Sequence, residues 1–270
     1  MATAPIRIGT QGWTYTDWNG GFFPDGTRKT DHLALYGKAF DTVEVDSTFY
    51  AIPSSETIRG WYDRTPDAFV FSLKLPQAIT HDARLRDHAG LTEQFFDRAR
   101  ELRHKLGPVL VQLGPDFGPA ELPALADFLP RLPRDLRVAI EFRQRGWVSE
   151  TVLTLLRDHG VALALVDGPW MPRRWALKLT EHPTASFTYI RWMGPDRAIT
   201  DHSHVQVDRT RELGEWVAVL PALQSRVDAI YGYVSNYYAG HAPANARELQ
   251  QRLGLPWRDP ATLGDQIGLF

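Results

Sequence analysis

Eight short apolar runs recur along the chain, separated for the most part by stretches with helical spacing. They are Ile6 to Gln11, Val43 to Asp46, Phe69 to Lys74, Pro108 to Leu113, Val138 to Ile140, Val161 to Asp167, Phe187 to Trp192 and Ala229 to Val234. Runs this short, rich in Val, Ile, Phe and Tyr and bounded by turn residues, read as strands covered on both faces. Helical patterns fit from Asp31 (with Leu33, Leu35, Tyr36 and Phe40), Ser55 to Arg64, Leu91 to Leu106, Ala120 to Leu129, Glu150 to His159 closed by Gly160, Asp208 to Leu220, and Pro243 to Leu253. After Asp167 the chain reads as a long Pro- and Trp-containing connection to about Ala185. This alternation predicts a single (β/α)8 TIM-type barrel over residues 1–270, close to the roughly 250 residues typical of that fold. An open doubly wound sheet is the alternative, but no Gly-x-Gly-x-x-Gly turn follows the first run. No internal repeat, low-complexity tract or linker divides the chain.

The fifth run continues into Glu141, Phe142 and Arg143. A carboxylate at the end of an apolar strand is costly to bury unless paired, so it is either compensated or used. Alternation turns Ala139, Glu141 and Arg143 to one face and Val138, Ile140 and Phe142 to the other. Extended to the other strands, it puts Glu44, Asp46, Lys74, Gln112, Glu141 and Arg191 inside the barrel near its C-terminal rim, with Asn236 following the eighth strand. One reading is that Lys74 and Arg191 merely neutralise Glu44 and Glu141. The other is a binding or catalytic site, since so many polar groups at one rim are a poor source of stability.

Composition excludes several chemistries. With no cysteine, the chain has no disulfide, thiolate metal site or cysteine nucleophile, which is compatible with a reducing cytosol. The net charge of −2 gives no global attraction to nucleic acid or an anionic membrane, and Arg28-Lys29, Arg84/Arg86 and Arg173-Arg174, which could supply a local basic groove, read rather as solvated surface. Residues 1–5 lead straight into a strand without a secretory pattern, and no apolar stretch approaches a membrane span; the expected location is cytoplasmic.

The turn from Asn236 through Tyr237, Tyr238, Ala239, Gly240, His241 and Ala242 to Pro243 has the makings of a helix start. Free N–H groups there would suit a phosphate or carboxylate, as at the ends of the late strands in barrels. Among the histidines, His81 follows the strand carrying Lys74 and is the better site candidate. His202 and His204, near Asp201, lack a zinc-binding spacing and read as solvated loop residues. Trp13, Tyr15, Trp18, Phe49, Tyr50, Trp147, Trp192, Tyr237 and Tyr238 fall mostly at the same rim, where aromatics either stack on a sugar or base or plug the mouth.

These residues together resemble the YecE-like family, domain of unknown function seventy-two. The resemblance rests on Gly12-Trp13-Thr14-Tyr15 with Trp18 and Phe23-Pro24, Val43 through Tyr50, Phe71 through Lys74 with Thr80-His81, Glu141-Phe142-Arg143 with Trp147, Tyr189 through Trp192, and Asn236 through Pro243. It spans essentially the whole chain and implies a TIM barrel; it supplies no reaction. Family members often carry His before Gly where this chain has Met193-Gly194, which counts against a histidine-rich metal centre.

The expectation is therefore an enzyme, of hydrolase or isomerase type, acting on a phosphorylated or otherwise anionic sugar-like or nucleotide-like molecule. Glu44 or Glu141 would be the general base, with Lys74 and Arg191 stabilising negative charge. Trp13, Tyr15, Asp46, Tyr50, His81, Gln112, Arg143, Trp147, Asn236, Tyr237, Gly240 and His241 would bind the substrate. A divalent ion on Glu44, Asp46 and Glu141 is an optional extension by fold analogy. Two alternatives stand: glycoside hydrolysis by Glu44 and Glu141, which needs carboxyls about 5 to 9.5 Å apart, and a non-catalytic barrel binding a metabolite or single-stranded nucleic acid.

Overall fold

The computed structural model describes residues 3–86, 89–259 and 262–263. Its strands are β1 (Ile6–Gln11), β2 (Thr42–Val45), β3 (Val70–Lys74), β4 (Leu106–Gln112), β5 (Val138–Glu141), β6 (Ala162–Asp167), β7 (Phe187–Trp192) and β8 (Ala229–Val234). All pair in parallel in sequence order, and β8 closes on β1 with Ile6 opposite Ile230. The predicted barrel is the observed fold. Helices α1 (His32–Ala39), α2 (Ser55–Asp63), α3 (Ala89–Arg100), α4 (Leu122–Phe128), α5 (Glu150–Asp158), α6 (Arg173–Leu179), α7 (Thr210–Gln224), α8 (Asn236–Ala239) and α9 (Ala242–Arg252) accompany the strands. Local chemistry sets their ends. The side chains of Ser54 and Ser149 accept from the N–H groups of Thr57 and Val152 at the starts of α2 and α5. Gly160, at φ 64°, lets the chain leave α5.

The alternation read from the strands sorts the core into two layers. Val43, Val45, Phe71, Leu73, Val109, Val111 and Ile140 face outward and pack with Phe95, Leu125, Leu156 and Trp216. Inside the barrel Val70, Leu110, Ala139, Ala162 and Ala164 leave room for the rings of Phe187, Tyr189, Tyr231 and Tyr233. Large residues on β7 and β8 face small ones on β5 and β6, which fills the interior without a pore.

The departures from the expected elements are local. The connection after β6 contains α6, because Ala176, buried, anchors a short helix that the surrounding Pro and Trp residues conceal in the sequence. Leu106 begins β4 rather than ending a helix: α3 stops at Arg100, and a tight turn at Arg103–Lys105 intervenes. α7 runs on to Gln224 with Pro221 inside it. The Asn236 segment is a single helical turn before α9. Among the described residues, no helix is long and apolar enough to cross a membrane.

Candidate functional site

Polar groups rise through the barrel in layers toward the C-terminal strand ends. At the lowest level the Tyr233 hydroxyl lies 2.9 Å from Thr42 Oγ1 and 2.5 Å from Ser72 Oγ. Above it the Tyr189 hydroxyl donates to Glu44 Oε2 at 2.6 Å. Glu44 also receives Arg191 through Nε to Oε2 at 3.0 Å and Nη2 to Oε1 at 2.7 Å. The remaining Arg191 nitrogen, Nη1, reaches Glu141 Oε2 at 2.5 Å. One guanidinium thus bridges two carboxylates from separate strands, β2 and β5. Gln112 Nε2 donates to Glu141 Oε1 at 2.9 Å, and Arg143 Nε reaches the same oxygen at 3.1 Å. Lys74 Nζ completes the chain, donating to Gln112 Oε1 at 3.1 Å and lying 3.3 Å from Asp46 Oδ1. Gln11 joins from β1: with its amide oxygen toward Arg191, it accepts from Nε at 3.2 Å and Nη2 at 3.1 Å.

A cavity of about 510 Å³ opens above this floor. Lys74, Arg143, Arg191 and Arg197 reach it, against Asp46 as the one carboxylate among the described residues. Tyr15, Phe49, Tyr50 and Tyr237 form aromatic walls, while His81, His202, Gln112 and Asn236 supply further polar edges. Glu44 and Glu141 lie below, 0% and 1% exposed, and do not open on the cavity. An apolar groove between Ile6, Phe40, Phe69 and Trp257 lies by the strand starts, away from these groups.

The charges of the floor are tuned by burial and by one another. Burial favours the neutral Glu141 carboxyl, yet Arg191 and Arg143 outweigh it and hold the group down at about 2. Burial pushes Glu44 up against the pull of Arg191, although three donors from Tyr189 and Arg191 address it as an acceptor. Desolvation works against the Arg191 charge, but Glu141 and Glu44 keep it firmly cationic. Lys74 is lowered, first by burial and then by Arg191, against Asp46. His81 is also lowered, by burial and by the nearby Arg143.

The structure gathers Glu44, Lys74, Gln112, Glu141 and Arg191 at the floor, and Tyr15, Asp46, Tyr50, His81, Arg143, Asn236 and Tyr237 around the cavity. Four other expected residues lie elsewhere. Trp147 is stacked between Phe117 and Phe142, with ring centroids 5.5 and 4.6 Å away, and its indole N–H donates to the Phe117 carbonyl. It is a core residue outside the barrel mouth. Trp13 packs edge-on against Trp61 and Phe71 in the outer layer. The start of α9 offers no anion site: Ala242 N–H is taken by Asn236 Oδ1, Pro243 has none, and His241 is buried beside Trp18 with Nδ1 on the His202 carbonyl. Gly240, at φ 107°, serves a close approach instead, since a Cβ there would sit 2.6 Å from the His204 carbonyl oxygen.

The optional metal set does not fit. Among the described residues, no three His, Asp or Glu side chains converge as ligands. Arg191 claims Glu44 and Glu141, and Lys74 claims Asp46. The basic residues that could have built a groove pair elsewhere: Arg84 and Arg86 with Glu121, Arg173 with Glu215, and Arg28 with Asp31.

Sequence reasoning passed over several residues. His202 is not simply a solvated loop residue. It lines the cavity, edge-on to Tyr15 and Tyr237 at 6.1 and 5.4 Å. Arg197 and Met193 approach from the loop after β7, and Gln11 from the end of β1. Gln11 was within reach of the strand-end rule, being the last residue of its strand; Arg197 sits in a loop where no periodicity applies.

Residues 7–265 match the family described as "Protein of unknown function DUF72". UPF0759 protein YecE of Escherichia coli K12 is 32% identical over 167 residues, a match spanning 60% of this chain and 59% of that protein. UPF0759 protein YunF of Bacillus subtilis is 26% identical over 98% of this chain and 100% of its own length. The crystal structure of a DUF72 family protein from Thermotoga maritima superposes with a TM-score of 0.77 at 25% identity, covering 93% of this chain and 99% of that one. A DUF72 family protein from Enterococcus faecalis superposes with a TM-score of 0.73 at 21% identity, over 94% and 99% of the two chains, and carries the fold alone. With the family match covering nearly all of its length, this chain belongs to the DUF72 family.

Proposed function

We propose that the rim cavity binds a small anionic molecule, sugar-like or nucleotide-like, and carries out acid–base chemistry on it, the chain acting as one TIM-barrel enzyme in the cytoplasm. The observation that carries this reading is the charge imbalance of the walls, where four cationic side chains meet one carboxylate. Arg143 donates Nε to Glu141, its guanidinium lies over the Trp170 ring at 5.6 Å, and the residue borders the cavity, where its remaining N–H groups suit a phosphate or carboxylate. Arg191 borders the cavity from a fixed position, because Glu44 and Glu141 hold three of its N–H directions and balance its charge. Preorganised charge of this kind favours negative charge that develops during a reaction.

The proton carriers are Lys74 and Asp46, 3.3 Å apart at the cavity wall, with His81 beside them. Glu141, held at about 2 and surrounded by donors, is too weak a base for this work, and Glu44 is sealed beneath Arg191. Glycoside hydrolysis by the two glutamates lacks support for the same reason: it needs two carboxyls free to face the sugar. The aromatic walls give a sugar ring or base a surface to lie against.

A thermal-shift titration with sugar phosphates and nucleoside monophosphates tests the reading. Stabilisation that saturates with ligand and is lost in Arg143→Met is the expected result. Equal behaviour of wild type and variant toward every anion overturns it.

A further inference from the structure

Arginine carries 25 of the chain's 30 basic side chains and lysine only five. Lys74 is the one lysine that lines the rim cavity. Arginine suits a purely ionic role because it keeps its charge; lysine alone of the two can present a neutral, nucleophilic nitrogen. Lys105, also buried, provides the internal contrast. Its ammonium donates to the carbonyls of Tyr62 and Thr65 at 2.7 and 2.8 Å and to Thr65 Oγ1 at 3.3 Å, so all three N–H directions are used within the fold. Lys74 has two polar partners, Gln112 and Asp46, its Nζ lies 4.3 Å from the Phe49 ring centroid, and the residue borders the cavity.

We propose that Lys74 forms an imine with an aldehyde or ketone substrate that carries a phosphate or carboxylate group. This deepens the anion-binding reading above and takes from it the role of Arg143 as the anchor. The surroundings suit each stage. The Lys74 ammonium passes a proton to Asp46, 3.3 Å away, and the freed lone pair attacks the carbonyl carbon. A C–N bond forms, the carbonyl π pair moves to oxygen, and that oxygen regains the proton from Asp46 to give a carbinolamine. The amine nitrogen then releases a further proton to the hydroxyl by way of Asp46. The C–O bond breaks, and the nitrogen lone pair closes the C=N bond. The balance is ammonium plus carbonyl compound giving iminium plus water, with no oxidant or reductant. Gln112 Oε1 orients the nitrogen at 3.1 Å, and the Phe49 ring, its centroid 4.3 Å from Nζ, lies where a cation gains from the π face. Burial and the Arg191 charge both favour the neutral amine against Asp46, which enlarges the reactive fraction.

The test uses the full chain with glycolaldehyde phosphate, with glyoxylate and with unphosphorylated glycolaldehyde, each reduced with sodium borohydride and mapped by peptide mass spectrometry. The expected result is a reduced adduct at Lys74, about tenfold or more over Lys29, Lys38 and Lys178 at neutral pH. Inorganic phosphate suppresses it, and Lys74→Arg abolishes it while keeping the positive charge. No adduct at Lys74 with either anionic carbonyl, or labelling spread evenly over the lysines, overturns the proposal even if phosphate still raises the melting temperature; the anion-binding reading then survives alone. Equal labelling of Lys74 by glycolaldehyde and by its phosphate leaves the imine standing and removes the anion anchor.

Discussion

Arg191 on β7 grips Glu44 on β2 at two points across the barrel, Nη2 to Oε1 at 2.7 Å and Nε to Oε2 at 3.0 Å. The pair lies beneath the cavity with 2% and 0% side-chain exposure, and Arg191 extends its third arm to Glu141. Buried ion pairs add little net stability, but removing one partner strands the other's charge without water. Arg191→Met strips Glu44 of its cationic partner and leaves Glu141 with Arg143 alone. It is expected to lower unfolding stability by about 3–5 kcal/mol, read from urea denaturation. Adding Glu44→Leu and Glu141→Leu should recover much of the loss; a triple variant no more stable than the single one contradicts this account.

The same arrangement makes the acid limb of stability dependent on Glu141. Its folded value of about 2 lies below the ordinary 4.5, so the ionised form is stabilised in the fold. That contribution is complete above about pH 4.5 and is lost as pH falls toward and through 2. Glu44 is shifted the opposite way, so wild type must be compared with Glu141→Gln. The difference in stability between them should shrink steadily on acidification over that interval. A difference that stays constant with pH would contradict the pairing.

Arg143 both borders the cavity and pairs with the buried Glu141, so its loss should be felt in binding and in stability. Arg143→Met should weaken binding of a sugar phosphate about tenfold to a hundredfold, the worth of charge-assisted hydrogen bonds, and lower the urea midpoint less than Arg191→Met does, because Glu141 keeps Arg191. Calorimetry on wild type and variant measures both halves of the statement. In wild type, affinity should fall as pH rises through the lowered Lys74 value, earlier than an ordinary lysine at 10.5 would require. In Lys74→Met that step disappears.

Gly194 ties the loop after β7 to the cavity wall. It adopts φ 77°, and a Cβ there would stand 2.2 Å from the Tyr237 carbonyl oxygen. Gly194→Ala should cost about 1–3 kcal/mol of stability through backbone strain, with the added displacement of Tyr237 appearing as weaker ligand binding. Retained stability and affinity in thermal melts and calorimetry would mean that the loop yields freely.

Much of the architecture could be read directly from local pattern. Short apolar runs alternating with helical stretches set a closed barrel, and period-two alternation turned Glu44, Lys74, Gln112, Glu141 and Arg191 to its interior. Both follow from backbone geometry that each segment carries by itself. The missed helix α6 and the early start of β4 show where local signals weaken, at Pro-rich stretches and at turns between unlike elements.

What each polar residue does was decided only when the strands closed. Glu44 and Glu141 are 97 positions apart in the chain, and no local rule says that one arginine will hold both. Their strength as bases depends on burial and on charges brought in by other strands, which are properties of the assembled interior. The same holds for Trp147, whose sequence neighbours suggest a rim residue while its packing partners Phe117 and Phe142 make it core. Sequence determined which side chains enter the barrel; tertiary structure decided which are neutralised there and which, Lys74 and Arg143 above all, still border the cavity.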